Sequence, residues 1–391
     1  MSFQKKIPLN ERPFWQQINW PQTILLTITP LMAIYGILTT ELQLKTLLFS
    51  IAYYAISALG ITAGYHRYHS HRSYQASLIY QVYIMLAGTA AIQGSILCWC
   101  RDHRIHHRFT DTEKDPYNAS RGLLWSHMGW MIYKKDSTKL GRAVDDLEAD
   151  PIVIFQHNYY VPLALFTSFI FPTLVAGVLW GDWKGGYYYA GVVRLVLVHH
   201  ATFCINSLAH WLGDASFDDK LSPRDYLLTA LITMGEGYHN FHHEFPQDYR
   251  NAIKFYQYDP TKWFIYGCSL IGLTYELKVF PDNEVRKGEL LMKQKKLDKV
   301  SATINWGVAI ESLPVISFEV YQKECDGGKR WLLIDGVVHD VELFMNEHPG
   351  GIKYVRAYIG KDASAAFAGQ VYDHSNGARN LMSSMRVARI A

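Results

Sequence analysis

Long uncharged segments are the dominant pattern in the first half of the chain. No Asp, Glu, Lys or Arg occurs at positions 14–40. The apolar part of this segment, 23–40, approaches the roughly 20 residues that cross a hydrocarbon core of about 30 Å. After a short charged link, positions 46–65 repeat the pattern. Together the two segments predict a transmembrane hairpin.

A second pair of apolar segments follows later in the chain. Positions 159–180 are uncharged, a turn-like stretch occupies 181–186, and a further apolar segment covers 187–208. Tyr and Trp at the segment ends are typical of a membrane–water interface. Polar side chains inside the last segment are costly to expose to lipid, so we expect them to face the protein interior or an interface. They are Arg194, His199 and His200.

A fifth uncharged segment, 73–100, is not expected to span. Histidine-rich sequences flank it on both sides, and a crossing would separate them across the membrane. Its Gln and Gly residues also interrupt the apolar pattern, so we predict an interfacial or buried helix. The pattern therefore predicts four spans with both termini on one side. Arginines beside the histidines place that side in the cytosol by the positive-inside bias.

The composition changes after residue 280. A Lys-rich stretch suggests a helical linker, and strand-like segments at 315–318 and 331–334 are followed by short helical pieces separated by glycines. We therefore predict three parts: a membrane domain at 1–280, a charged linker at 281–304 and a small soluble α+β domain at 305–391. The predicted fold class is a mostly α-helical integral membrane protein with four transmembrane helices, a cytosolic helical cap and this C-terminal domain.

Charge and cysteine content exclude some classes of protein. Of the 391 residues 19% are charged, below the roughly 25% of an average soluble domain, in keeping with membrane segments. The net charge of +3 is too small for a general polyanion-binding surface, so we expect no nucleic acid partner. Five cysteines without a C-x-x-C pair give no disulfide framework and fit a reduced compartment. The N-terminal residues show no cleavable signal peptide.

Histidines carry the strongest chemical signal, and 17 are present. Three clusters occur in the sequences GYHRYHSHRSY, RDHRIHHRF and GEGYHNFHHEF, and a further histidine lies at the end of the fourth span. Spacings of three or four residues place side chains on one helix face, close enough to share or bridge metal ions. These nine are His66, His71, His103, His106, His107, His210, His239, His242 and His243.

Nine imidazoles are too many for one tetrahedral zinc, and no cysteine lies within the clusters. Two transition-metal ions therefore fit better than a structural zinc finger. Imidazole suits Fe, Cu and Zn, so the ligand type alone leaves the metal open. A pH-sensitive patch or a surface zinc site is the alternative for any one cluster taken alone.

Two further histidines stand near the C-terminus. His348 begins the sequence HPGG, and His374 follows 26 residues later. Two histidines so placed on a helical hairpin can bind a haem from both faces as axial ligands. The alternative is an ordinary Pro-Gly-Gly turn with an unrelated histidine, but WLLIDGVVHDV before it and GKDASAAF after it favour a haem.

On these motifs, residues 10–276 resemble the membrane-bound acyl-CoA Δ9 desaturases (stearoyl-CoA desaturases), and residues 305–391 resemble cytochrome b5. A C-terminal cytochrome b5 resembles the fungal type, and His239 stands where front-end desaturases have Gln. The resemblance implies a di-iron enzyme that uses O2 to introduce a cis-Δ9 double bond into stearoyl-CoA or palmitoyl-CoA. It also implies haem b, NADH-cytochrome b5 reductase as donor, and an endoplasmic reticulum membrane protein surrounded by membrane lipid, with termini and active site in the cytosol.

The resemblance further implies roles for single residues. One iron would be bound by His66, His71, His107 and His243, with Asn206 holding a water on it. The other would be bound by His103, His106, His210, His239 and His242. The CoA end of the substrate would meet Trp99, Arg101, Asp102, Lys134 and Lys135. Glu236 is expected to contact a ligand histidine as its hydrogen-bond partner.

Three other classes of function stay open on the sequence. An acyl-lipid desaturase or a lipid hydroxylase would use the same histidines on a different substrate or with a different outcome. A membrane electron-transfer protein would bind metal without catalysis of its own. A metal-binding interaction protein would leave the haem motif unexplained.

Overall fold

The computed structural model describes residues 11–134 and 144–391. The chain forms two compact units, Met1–Gln294 and Lys295–Ala391. In chain order, the α-helices of the described residues are α1 (Phe14–Gln17), α2 (Trp20–Thr39), α3 (Leu44–Leu59), α4 (Leu78–Thr89), α5 (Ile96–Phe109), α6 (Trp130–Ile132), α7 (Asp145–Glu148), α8 (Pro151–Asn158), α9 (Tyr160–Leu165), α10 (Phe171–Trp180), α11 (Trp183–Gly185), α12 (Arg194–Asn206), α13 (Leu227–Ile232), α14 (His239–Glu244), α15 (Pro260–Leu270), α16 (Asp282–Ser301), α17 (Phe318–Asp326), α18 (Ile352–Ala357), α19 (Ser364–Phe367) and α20 (Asn376–Ser383).

Wider and tighter helical turns join several of these helices. The π-helical segments are Gly60–Ser70, Trp125–Gly129, Phe166–Ile170 and Gly186–Val193, and the 3₁₀ turns are Ala119–Arg121, Leu208–His210 and Ile310–Ser312. The strands are β1 (Gln75–Ala76), β2 (Thr274–Tyr275), β3 (Val315–Ile316), β4 (Trp331–Ile334), β5 (Val337–Asp340) and β6 (Arg386–Ile390). β1 and β2 form a small antiparallel pair in the first unit.

Four helical segments among the described residues are long and apolar enough to cross a membrane. They are Trp20–Thr39, Leu44–Ser70, Tyr160–Trp180 and Trp183–His210, so each of the four segments predicted to span is confirmed as a long apolar helix. The second is longer than predicted because the helix continues beyond position 65 as the π-helical segment Gly60–Ser70. His66 therefore lies in the end of a membrane span, and His71 is the first residue after it.

The fifth apolar segment does not span, as predicted. Its helix α4 has 12 residues, or about 18 Å at 1.5 Å per residue, too short for a core of about 30 Å. α4 packs against the π-helical end of the second span, where a Cβ on Gly60 would overlap the backbone nitrogen of Gly88. This close approach brings α4, and α5 after it, beside the first histidine pair.

Polar side chains of the fourth span face inward, with one exception. Arg194 is buried and donates to the carbonyl oxygens of Ala90 (2.7 Å) and Ser168 (3.1 Å), and His199 bonds the carbonyl of Ala91 at 2.8 Å. His200 instead lies on an exposed side of α12. The prediction for Arg194 and His199 is confirmed, because buried carbonyls at the end of α4 satisfy these polar groups.

The second unit is a small α+β domain, as predicted. Its sheet has the order β3-β6-β5-β4, with β3 and β6 parallel and the other pairs antiparallel. The strand-like segment 331–334 forms β4, whereas in 315–318 only Val315 and Ile316 form a strand, β3, because Ser317 caps α17, which begins at Phe318. Leu332, Val341, Met345 and Val355 form a hydrophobic cluster between the sheet and the following helices.

Candidate metal centre

Nine histidines converge on one region of the first unit. The π-helical end of the second span supplies the first pair, and a 3₁₀ turn after α12 supplies His210. α5 and α14 supply three each. At the start of α5, the Ser95 side chain accepts a hydrogen bond from the amide N–H of Cys98. At the start of α14, the Asp225 side chain accepts hydrogen bonds from the amide N–H groups of Asn240 and Phe241. The chain thus builds the centre from helix ends that side chains fix in place.

The histidines form two groups, and within each group the ligand nitrogens lie within 4.8 Å of one another. The first group contains His66, His71, His103, His107 and His242, and the second contains His106, His210, His239 and His243. The resemblance instead assigns His243 to the ion of the first group and His103 and His242 to the ion of the second, and that assignment stays a prediction. Helix geometry does not decide between the two divisions, because α5 and α14 each carry histidines both three and four residues apart.

The nitrogen–nitrogen distances fit a cation in each group. In the first, Nε2 of His66 and Nε2 of His242 are 2.9 Å apart, and those of His71 and His103 are 2.8 Å apart. In the second, the His239–His210 and His243–His239 distances are both 3.1 Å. Nitrogens bound to one ion at about 2.1 Å lie about 3 Å apart. The arrangement is therefore that of two metal sites side by side.

Hydrogen bonds at Nδ1 set the direction of three ligands. His66 Nδ1 lies 2.9 Å from Glu236 Oε2, His106 Nδ1 lies 2.9 Å from Asp115 Oδ1, and His210 Nδ1 lies 2.7 Å from Ser222 Oγ. An Nδ1–H that donates to a carboxylate leaves the Nε2 lone pair for a metal. The expected contact of Glu236 with a ligand histidine is confirmed.

Burial keeps the ligands neutral. Desolvation, followed by the mutual repulsion of neighbouring imidazolium charges, lowers the pKa of six ligand histidines well below the usual value. They are His71, His103, His107, His239, His242 and His243. A neutral imidazole has a free lone pair, so all six are ready to bind metal at neutral pH.

A buried ion network lies behind the first group. Arg67 donates to Glu236 Oε1 (2.8 Å) and to both carboxylate oxygens of Asp259 (2.9 and 3.1 Å), and Asn251 Nδ2 donates to Glu236 Oε2 at 2.6 Å. Although burial alone would raise the pKa of Glu236, the charge of Arg67 and the hydrogen bond from His66 lower it to about 2. The sequence analysis did not identify Arg67 or Asp259, which carry no spacing signal.

In the second group of histidines, the buried carboxylate that contacts a ligand is Asp115. Asp115 accepts the amide N–H groups of Tyr117 (2.9 Å) and Asp111 (3.0 Å) in addition to contacting His106. Burial opposes ionisation, but these contacts lower the pKa of Asp115 below its usual value. Asp111 in turn accepts the hydroxyl of Ser222 at 2.5 Å. One loop after α5 therefore orients both His106 and, through Ser222, His210.

A cavity of about 430 Å³ opens beside the first group, and both His66 and His103 line it. Of the residues expected to meet the CoA end, four also line it: Trp99, Arg101, Asp102 and Lys134. The fifth, Lys135, lies outside the described residues. Asn206, at the end of α12, lines the same cavity, and its binding of a metal-bound water stays a prediction.

A second cavity, of about 840 Å³, lies in the C-terminal unit. His348 and His374 line it, and their ring centroids are 6.1 Å apart. A metal ion bound between the two rings by nitrogen bonds of about 2 Å would give a similar distance, because each ring centroid lies about 1 Å behind its nitrogen. His374 Nδ1 donates to the carbonyls of Phe367 and Tyr372, both at 3.0 Å, which leaves Nε2 for a metal. The walls are mainly apolar, so the cavity fits a haem with two histidine ligands.

Comparison with known proteins agrees with both sites. Residues 44–267 match the fatty acid desaturase family, and residues 317–391 match the cytochrome b5-like heme/steroid binding domain. The chain is 54% identical to a probable acyl-CoA desaturase of Schizosaccharomyces pombe, over 97% of this chain and 79% of the relative. It is 47% identical to acyl-CoA desaturase 1 of Saccharomyces cerevisiae (98% and 77%) and 40% identical to stearoyl-CoA desaturase of Homo sapiens (71% and 77%).

Proposed function

Because this chain belongs to the fatty acid desaturase family and carries a cytochrome b5-like domain after it, it is an acyl-CoA desaturase, and we propose that its nine histidines hold two iron ions. The observation that carries the proposal is the division of nine buried imidazoles into two groups with ligand spacing. Bound iron would use O2, two electrons from the haem and two protons to remove one hydrogen atom from each of two adjacent methylene groups, giving the cis-Δ9 double bond of an oleoyl or palmitoleoyl chain and two molecules of water.

The protein's own part is to place and orient the ligands. Glu236 and Asp115 accept hydrogen bonds from Nδ1 of His66 and His106, which directs Nε2 of each ring toward a metal. Both carboxylates are buried, and Glu236 also lines the cavity beside His66.

We assign the cavity mouth to the CoA end of the substrate. Arg101 and Lys134 bring positive charge to it, which suits the CoA phosphates, and Trp99 stacks on His103 with a centroid distance of 4.9 Å. The resemblance assigns Lys135 to the same contact. Asp102 accepts from Arg101 at 3.0 Å and so orients that guanidinium.

Electrons would reach the centre from the haem of the same chain. The domain organisation 1–280, 281–304 and 305–391 keeps donor and acceptor together, because a linker replaces encounter in solution by an intramolecular event. A flavin-containing NADH-cytochrome b5 reductase would reduce the haem. The protein is a membrane protein, and we place it among the lipids of the endoplasmic reticulum with termini and active site in the cytosol.

Product analysis tests the proposal. Membranes containing the protein receive stearoyl-CoA, NADH, reductase and O2, and gas chromatography with mass spectrometry identifies the fatty acids formed. We expect a Δ9-monoene that is absent from His66→Ala, His103→Ala and His239→Ala and present in His200→Ala, whose imidazole lies outside both groups. A hydroxylated acid would instead favour the lipid hydroxylase. No product from protein loaded with iron and haem would contradict an acyl-CoA substrate.

A further inference from the structure

The turn between α4 and α5 contains an isoleucine in a strained backbone conformation. Ile92 has a φ of +44°, in the left-handed region that a β-branched residue rarely adopts. A residue in this conformation persists only where the surrounding structure holds it. Ile92 also lines the cavity beside the first histidine group. The strained residue therefore belongs to the wall of the cavity assigned to the substrate.

Buried side chains of the third and fourth spans hold the turn from below. The carbonyl oxygen of Ala90 accepts hydrogen bonds from the Ser168 hydroxyl at 2.6 Å and from the Arg194 guanidinium at 2.7 Å. Both donors are buried, so their bonds to the carbonyl have no competition from solvent. The backbone two residues before Ile92 is thereby fixed to two spans at once.

His199 holds the next carbonyl and reaches the cavity itself. Its Nε2 donates to the carbonyl oxygen of Ala91 at 2.8 Å, directly before Ile92. The ring stacks on Phe203 with a centroid distance of 5.5 Å, and both His199 and Phe203 line the cavity. One buried imidazole thus contacts both the strained turn and the substrate wall.

The position of His199 along α12 shows which part of an acyl chain meets this wall. α12 ends at Asn206, seven residues after His199, and the ligand His210 follows in the next turn. Seven residues of α-helix span about 10 Å. His199 and the turn that it holds therefore lie deeper in the fourth span than the metal centre. A substrate with C9 and C10 at the metals would direct its methyl end toward this depth.

We propose that Ile92 sets the length of acyl chain that this desaturase accepts, and that His199 is the positioning residue that keeps Ile92 in the cavity wall. The inference rests on the proposed function, because it takes this cavity as the acyl site. A glycine would adopt the same φ without strain. The strain therefore arises from placing a bulky apolar side chain at this point of the wall, where it limits the space beyond the double bond.

Substrate competition among saturated acyl-CoAs tests the inference in the full-length protein. Ile92→Gly removes the side chain and relieves the strain, so we expect kcat/KM for arachidoyl-CoA relative to palmitoyl-CoA to rise several-fold. His199→Leu should move the ratio in the same direction, because the carbonyl of Ala91 loses its donor. His199→Gln, which keeps an N–H donor, should stay close to the unmodified ratio. His200→Leu, on the exposed side of the same helix, is the control.

A double variant shows whether His199 acts through Ile92. In the Ile92→Gly background, His199→Leu should leave the chain-length ratio unchanged, because the side chain that it positions is already absent. An additional shift as large as that in the unmodified background would overturn the role of His199. An unchanged ratio in Ile92→Gly, or an equal fall in kcat/KM for every chain length, would overturn the role of Ile92.

Binding separates this inference from the proposed function. Palmitoyl-, stearoyl- and arachidoyl-CoA displace radiolabelled stearoyl-CoA from the protein in the absence of NADH and reductase, so that no turnover occurs. We expect Ile92→Gly to favour arachidoyl-CoA several-fold in this assay as well. That shift without a Δ9 product from the unmodified protein would contradict the proposed function and leave the chain-length role standing. Equal relative affinities in Ile92→Gly and the unmodified protein would overturn the chain-length role alone.

Discussion

His66 and Glu236 are joined inside the protein by a 2.9 Å contact between Nδ1 and Oε2, with side chains 6% and 0% exposed. Arg67, the residue next to His66, holds the other oxygen of the same carboxylate. The Glu236 carboxylate therefore bonds both the candidate ligand His66 and the buried guanidinium of Arg67, which lie on the same helix. Asp259, on the far side of Arg67, adds a second negative charge to the network, so the network carries one negative charge more than positive beside a site for cations.

Glu236→Gln should lower iron binding at the first group by about 10–100-fold, because the ligand loses the charged partner that orients it. Iron per chain is measured after dialysis against a series of chelator concentrations. Haem content, which depends on the other unit, should not change. The matched control is Asp248→Asn, a buried carboxylate that binds Arg250 and touches no ligand histidine. Equal losses in both variants would show that Glu236 acts only on folding.

Asp115→Asn should weaken the second group by a similar factor, about 10–100-fold, and leave the first group loaded, because Asp115 contacts His106 alone among the ligands. Spectroscopy of protein loaded with a single equivalent of iron distinguishes the groups: Asp115→Asn and Glu236→Gln should retain iron in opposite groups. Identical spectra from the two variants would contradict the division of the nine histidines described above.

The spans and the ligands could be predicted because their signals are local. Uncharged segments mark the spans, and histidine spacing marks the clusters. The division of the nine histidines between two ions stays a prediction, because α5 and α14 each carry histidines both three and four residues apart and spacing alone does not divide them. Arg67 and Asp259 escaped prediction because 192 residues separate them, and their pairing depends on a tertiary contact.

Arg101→Ala should raise KM for stearoyl-CoA about tenfold with a smaller change in kcat, because a charge-assisted hydrogen bond to a phosphate contributes about 1.5–3 kcal/mol and Arg101 is partly exposed. Initial rates over a range of acyl-CoA concentrations separate the two constants. Lys287→Ala, an exposed basic residue on α16, serves as control and should leave KM unchanged. A fall in kcat alone would place Arg101 outside the CoA contact.

Gly60→Ala should destabilise the first unit by about 1–3 kcal/mol or more, because the added methyl overlaps the backbone of Gly88 and forces α4 away from the second span. Thermal unfolding in detergent, followed by loss of bound iron, measures the effect. Gly267→Ala is the matched control, since a Cβ there meets no atom within 4 Å. An unchanged midpoint for Gly60→Ala would contradict the close packing of α4.

His348→Ala should abolish turnover supported by NADH and reductase while both iron groups stay loaded. The variant removes one of two imidazoles that face each other across the C-terminal cavity, so the haem loses an axial ligand and its Soret band shifts or disappears. His374→Ala should behave alike, because the ring on the opposite face is equally required. Separately added cytochrome b5 should restore part of the activity, since the metal centre itself is intact. Full activity of His348→Ala without that addition would show that electrons reach the iron by another path and that the fused domain is not the donor.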